Sequence, residues 1–159
     1  MDENLHRTVS AYRRLATTLN RAKTHERLTA AAGVRLDRPD VQILVTLLDA
    51  GEPRRIGMIA ESLQVESPHV TRHVAALEQR GLVERVRDPD DGRAWRIALT
   101  EDGAEAAESC RRVTSQWFES ALADWPEPER AELARLLDKL AYDVCDHLTA
   151  QLDSTSSAR

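Results

Sequence analysis

Residues 85–103 read RVRDPDDGRAWRIALTEDG, directly behind a helical segment that ends in Gln79-Arg80-Gly81-Leu82-Val83. Two runs of strand character, Val83 to Arg87 and Ala94 to Leu99, flank the turn formers Pro89-Asp90-Asp91-Gly92, which together spell an antiparallel hairpin. In the second run Trp95, Ile97 and Leu99 alternate with Ala94, Arg96 and Ala98, so the first set is expected to face a core. Upstream, Ile56, Ile59, Ala60 and Leu63 share one side of a short helix from about Arg55, and Gln64 to Glu66 make a turn. Ser67-Pro68 then supplies a capping hydroxyl and a first-turn proline for a helix that runs to Arg80. Helix, turn, helix and basic-tipped hairpin follow one another in the order of a winged helix-turn-helix, which predicts a DNA reader.

Working outward, Leu5, Val9, Tyr12, Ala16 and Leu19 recur at three- and four-residue steps and predict one long amphipathic helix from Asn4 to about Ala31. Gly33 and Pro39 break the pattern, Asp37 opens a second helix carrying Val41, Ile43, Leu44, Leu47 and Leu48, and Gly51-Glu52-Pro53 closes it. Beyond the hairpin, Thr100-Glu101-Asp102-Gly103 starts a helix with a hydroxyl cap and acids in its first turn, continuing to about Trp125. Pro126 to Glu129 interrupts, and a last helix from about Glu129 to Leu152 carries Leu133, Leu136, Leu137, Leu140, Val144 and Leu148. The expected fold is mainly α with a small β-hairpin (α+β). Its expected parts are a dimerisation helix over 1–32, a winged lobe over 37–100, dimerisation helices over 101–152 and a flexible polar tail over 153–159.

Composition narrows the class. With 42% hydrophobic but only 4% aromatic residues, the core must be Leu, Val, Ile and Ala, which suits helix packing. No apolar run reaches the ~18 residues of a membrane span, and the start Met1-Asp2-Glu3-Asn4 lacks signal-peptide character, so a cytoplasmic protein without a membrane partner is expected. Cys110 and Cys145 lack CxxC spacing and read as reduced helix cysteines. His69 and His73 are four apart, but Val70 stands where a metalloprotease helix has its glutamate, and no metal or cofactor is expected. Neither a nucleophile beside a base nor a glycine-rich phosphate loop occurs, which argues against an enzyme. The net charge of −5 opposes nucleic-acid binding on its face. Residues 54–100 nevertheless hold eight arginines against seven acids, while 101–159 hold thirteen acids against six bases, so the excess acid lies outside the predicted lobe.

At 3.6 residues per turn from Ser67, Val70, Val74 and Leu77 fall on one face and Pro68, Arg72, Ala75 and Gln79 on the other. The second face offers a forked guanidinium suited to guanine, a small residue for close approach and an amide suited to adenine, with Ser67, His69, Thr71 and His73 on its flanks. The plainer reading is the solvated side of a surface helix. At the hairpin, one aspartate, Asp91 first, is expected to hold Arg85 or Arg93 in a fixed direction so that Arg93 reaches a narrow minor groove; the plainer reading is a solvated charged turn.

Leu77-Glu78-Gln79-Arg80-Gly81-Leu82-Val83-Glu84-Arg85, followed by Asp90-Asp91-Gly92-Arg93-Ala94 and Leu99-Thr100-Glu101-Asp102-Gly103, resembles the MarR family of bacterial transcription regulators. The resemblance implies six helices, a dimer built from the first and last two helices, a recognition helix over Ser67 to Arg80, and a minor-groove arginine at Arg93. Arg55 stands where the family often has a capping hydroxyl, which bears on where the support helix starts or frees Arg55 for a phosphate. The first-helix cysteine of the oxidation-sensing branch has no counterpart here. Many relatives release DNA when a small aromatic acid binds, and Tyr12, Arg13, Arg14, Trp117 and Trp125 are the candidates for such a cleft, or else core and dimer contacts. Independently, Leu5, Val9, Tyr12, Trp117, Leu122, Leu136, Leu140 and Leu148 are more apolar surface than a small lobe covers, which predicts a homodimer. The expected function is therefore a dimeric DNA-binding regulator, a repressor of palindromic operators on double-stranded DNA. The alternative is a winged module that binds a protein.

Overall fold

The computed structural model describes residues 2–156, which form two compact units divided between Gln116 and Trp117. In the first unit the elements are α1 (Glu3–Leu19), α2 (Ala22–Ala32), α3 (Arg38–Ala50), α4 (Ile56–Leu63), α5 (Ser67–Gln79), β1 (Val83–Arg87), β2 (Trp95–Leu99) and the larger part of α6 (Glu101–Ala121). The second unit holds the end of α6 and α7 (Glu127–Ser156). Among the described residues no helix is long and apolar enough to cross a membrane.

Seven helices among the described residues correct the expected six, because the single N-terminal helix is two. Asn20 ends α1 and Arg21 is extended at φ −68°, ψ 142°. The exposed groups at this break find partners: the Thr24 hydroxyl donates to the Thr18 carbonyl at 2.7 Å. The Arg38 guanidinium reaches Asn20 Oδ1 at 3.1 Å and the Arg21 carbonyl at 3.3 Å. Apolar periodicity continues through the break, so it gave no warning. The C-terminal end departs too: α7 starts at Glu127 and runs to Ser156, so 153–156 are helical where a flexible tail was expected, and 157–159 lie outside the described residues.

Around the lobe, local signals are obeyed. Asp37 caps α3, its Oδ1 accepting from the Asp40 amide at 2.9 Å, and Gly51 closes the helix at φ +67°. The core unites Ile43 and Leu44 of α3, Ile59 of α4, Val70, Val74 and Leu77 of α5 and Ile97 of β2, all fully buried, with Ala106, Ala107 and Cys110 of α6. Each large aliphatic side chain in it is worth ~1.5–3 kcal/mol of burial. Burial also pushes the Cys110 thiol up, which disfavours the reactive thiolate, whereas Cys145 is exposed on α7.

The hairpin pairs antiparallel from Val83↔Leu99 to Arg87↔Trp95. A third segment joins it: Arg54 exchanges both backbone hydrogen bonds with Ile97, at 3.0 and 2.7 Å. The wing is thereby stitched to the entry of α4.

Candidate nucleic-acid interface

Burial of Val70, Val74 and Leu77 sets the rotation of α5, and the opposite face with Pro68, Arg72, Ala75 and Gln79 is exposed, together with Ser67 and Thr71. Its start differs from expectation: Glu66 is the N-cap residue without a side-chain bond, Ser67 is the first helical residue, and the Ser67 hydroxyl caps nothing. Arg72 Nη2 lies 3.3 Å from His69 Nδ1 and has no carboxylate partner among the described residues. His69 is half-buried, its ring 4.7 Å from that of His73.

His73 corrects the expectation of a residue offered to DNA. Its Nδ1 lies 2.8 Å from Asp40 Oδ1 and 3.9 Å from Asp37 Oδ1, and its side chain is only 16% exposed. Burial raises the Asp40 carboxyl above its ordinary range, opposed by the contact with His73. Arg80 donates to the Arg35 carbonyl and comes within 3.9 Å of Asp40. His73 and Arg80 thus pin α5 to the start of α3. Asp37, Asp40 and His73 hold donor atoms within 4.8 Å of one another, but the cap and the His73–Asp40 hydrogen bond already employ them.

At the wing the organiser is Asp88, which sequence reasoning missed. Its side chain is fully buried and accepts from Arg55 Nε at 2.7 Å and Arg96 Nε at 2.8 Å, and from the backbone amides of Asp90 at 2.9 Å and Asp91 at 3.2 Å. The backbone half of this arrangement is legible as an Asx turn at Asp-Pro. The arginine half is not, since Arg55 is 33 positions away. Three expectations are corrected. Arg55 is tied to Asp88 rather than free for a phosphate. Asp91 fixes the backbone of Arg93, accepting from its amide at 3.0 Å, and orients no guanidinium. Arg85 is paired with Glu78 at 3.2 Å.

The hydrogen bonds from Arg55, then Arg96, hold the Asp88 carboxyl well below the usual carboxylate range. A carboxyl depressed on folding contributes fully above its unfolded value, ~3.9, and the contribution is lost as pH falls through the folded value. Acid titrations of unfolding should therefore show Asp88→Asn less stable than the parent at neutral pH, with the two curves converging only below pH ~4. A constant gap down to strong acid would mean the charge of Asp88 is immaterial.

Trp95 is the remaining correction: it is 42% exposed rather than turned to the core. The Arg87 guanidinium lies over its ring at 3.8 Å. Arg54, Arg55, Arg85 and Arg96 all have carboxylate partners. Arg93 is exposed, and among the described residues neither its guanidinium nor that of Arg87 has one. Of the residues considered for an aromatic ligand, Tyr12 (66% exposed), Arg13 and Arg14 lie on α1 of the first unit, and Trp117 and Trp125 belong to the second.

The helix-turn-helix pair α4 and α5, with Arg72 exposed on the outer face of α5, and a hairpin tied to the entry of α4 define a winged helix-turn-helix protein. Residues 36–95 match the family model described as "MarR family". A relative, the HTH-type transcriptional regulator YdgJ of Bacillus subtilis, is 30% identical over 101 residues, 64% of this chain and 62% of the relative. The chain thus spans about six-tenths of that relative's length. The fold matches a MarR family protein from Bacillus stearothermophilus at a TM-score of 0.77, with 20% identity over 91% of this chain and 99% of the other. It also matches Streptococcus pneumoniae FabT, solved in complex with DNA, at 0.69, with 21% identity over 89% and 98%.

Proposed function

We propose that the chain is a dimeric, sequence-specific transcription regulator that represses from palindromic operators. One observation carries this reading: Arg72 on α5 and Arg93 on the wing are exposed cations without carboxylate partners among the described residues, in a lobe whose other wing-side arginines are mostly neutralised. Unpaired cations on a reading helix and a hairpin suit a duplex, whose grooves and phosphates lie within reach of both elements. Support for the dimer comes from exposed apolar residues on two helices: Leu5, Val9 and Leu15 on α1, and Leu136, Leu140 and Leu148 on α7. A small aromatic acid as effector rests on the family resemblance, and Tyr12, Arg13 and Trp117, the residues named for it, divide between the two units.

The test is a titration of a duplex selected by the intact protein from a random-sequence pool. Two copies are expected per duplex, on half-sites about one helical turn, ~34–36 Å, apart. Arg93→Ala should weaken binding about tenfold and flatten the salt dependence. Absence of binding to any duplex at low salt would refute the proposal and leave the lobe as a protein-binding module.

A further inference from the structure

Arg87 is held still without being neutralised, and in this it differs from every other arginine of the hairpin. Arg85 and Arg96 are spent on carboxylates, and Arg93 is anchored only through its backbone amide. The Arg87 guanidinium carbon instead sits 3.8 Å from the centre of the Trp95 ring, the two residues being directly opposed in the ladder. Nη1 of Arg87 also donates to the Gly92 carbonyl at 3.0 Å. Strand alternation would bury Trp95, yet it is 42% exposed beneath the guanidinium. Gly92 immediately precedes Arg93, so the two un-neutralised cations of the hairpin share its tip.

A guanidinium has five N–H donors in a fixed fork. Stacking on an indole face and one carbonyl contact restrict the rotamers of Arg87 while leaving most of that fork unused. Ordering a long cationic side chain is a principal entropic cost of gripping a phosphate, and here the fold has met it beforehand. We propose that Arg87 is a DNA-phosphate contact of the wing and that Trp95 is the positioning residue that presents it. This rests on the DNA-binding reading above and assigns the two hairpin cations different tasks. Arg93 enters a groove, and Arg87 grips the adjoining sugar-phosphate backbone. A phosphate carries no sequence information, so Arg87 acts on affinity and salt dependence and leaves sequence choice alone.

The test compares binding to the selected duplex and to a random-sequence duplex across a salt series, using the full chain. Arg87→Ala is expected to weaken both about tenfold and to reduce the slope of log affinity against log salt by about one. Arg87→Gln, which keeps a planar group over the indole, should lose the same slope and so separates charge from folding. Trp95→Leu should keep the slope and weaken binding several-fold, and Trp95→Phe should recover most of that loss, which a merely structural defect would not follow. If Arg87→Ala leaves affinity and slope unchanged while Arg93→Ala still weakens binding, the phosphate contact is wrong and the DNA reading survives. Weakening confined to the selected duplex would make Arg87 a base reader and overturn the assignment. A Trp95→Leu protein that binds like the parent would remove the platform role. A parent protein that binds neither duplex removes both readings.

Discussion

Gly103→Ala is expected to lower stability by an amount at the upper end of the ~1–3 kcal/mol typical of overpacking, and the melting temperature by roughly 6–10 °C. The reason is backbone proximity. Gly103 is buried in the first turn of α6, where an added methyl would collide with the Leu82 carbonyl oxygen and lie 2.8 Å from its carbonyl carbon. Neither neighbour can swing aside, because both are main chain held by a local network. The Thr100 amide donates to the Leu82 carbonyl at 3.2 Å, the Thr100 hydroxyl donates to the Gly81 carbonyl at 2.6 Å, and the Gly103 amide donates to that hydroxyl oxygen at 3.1 Å. Leu82 leads directly into β1, so relief of the clash would shift the base of the wing. Urea unfolding of the two proteins measures the effect. A difference within ~0.5 kcal/mol would place Gly103 among ordinary surface positions and contradict the packing described.

Arg72→Ala is expected to cost ~1–3 kcal/mol of binding to the selected duplex, about tenfold to a hundredfold, and to relax base preference at one position per half-site. The melting temperature should stay put, since Arg72 is exposed and its recorded contact is to His69 at 3.3 Å. Arg72→Lys should recover affinity for random DNA but not the base preference, because an ammonium cannot bridge two acceptors of one guanine as a fork does. Equal affinity of Arg72→Ala for selected and scrambled sites, with the parent also indifferent, would show that α5 reads no bases. This variant and Arg87→Ala should differ in kind, one altering which sequence is bound and the other how strongly any sequence is held.

Much of the lobe was legible because its signals are local. Val70, Val74 and Leu77 could be put on the inner face of α5 from periodicity alone, and the hairpin register follows from the turn residues between Arg87 and Trp95. The site was less legible where side chains meet across long stretches of chain. His73 looked like a flank of the reading face until Asp40, 33 positions earlier, claimed it. Asp91 looked like the holder of an arginine, yet Asp88 is the aspartate that faces both Arg55 and Arg96. Trp95 kept the alternation of a core residue, and only the cation opposite it explains its exposure. Arg87 is not distinguished by its sequence for the same reason: nothing in its neighbourhood separates an arginine that is neutralised from one that is not.

What belonged to the sequence by itself was the order of elements, the caps at Asp37 and Thr100, the glycine stops and the buried faces. Each depends on residues within one or two turns of one another, whose spacing a linear string preserves. What only the tertiary structure decided was which charges are spent and which are left, together with the break at Asn20-Arg21 that Arg38 supports. Ion pairing is a matter of distance in space, and Asp88 can neutralise Arg55 only after the hairpin has folded back against the entry of α4.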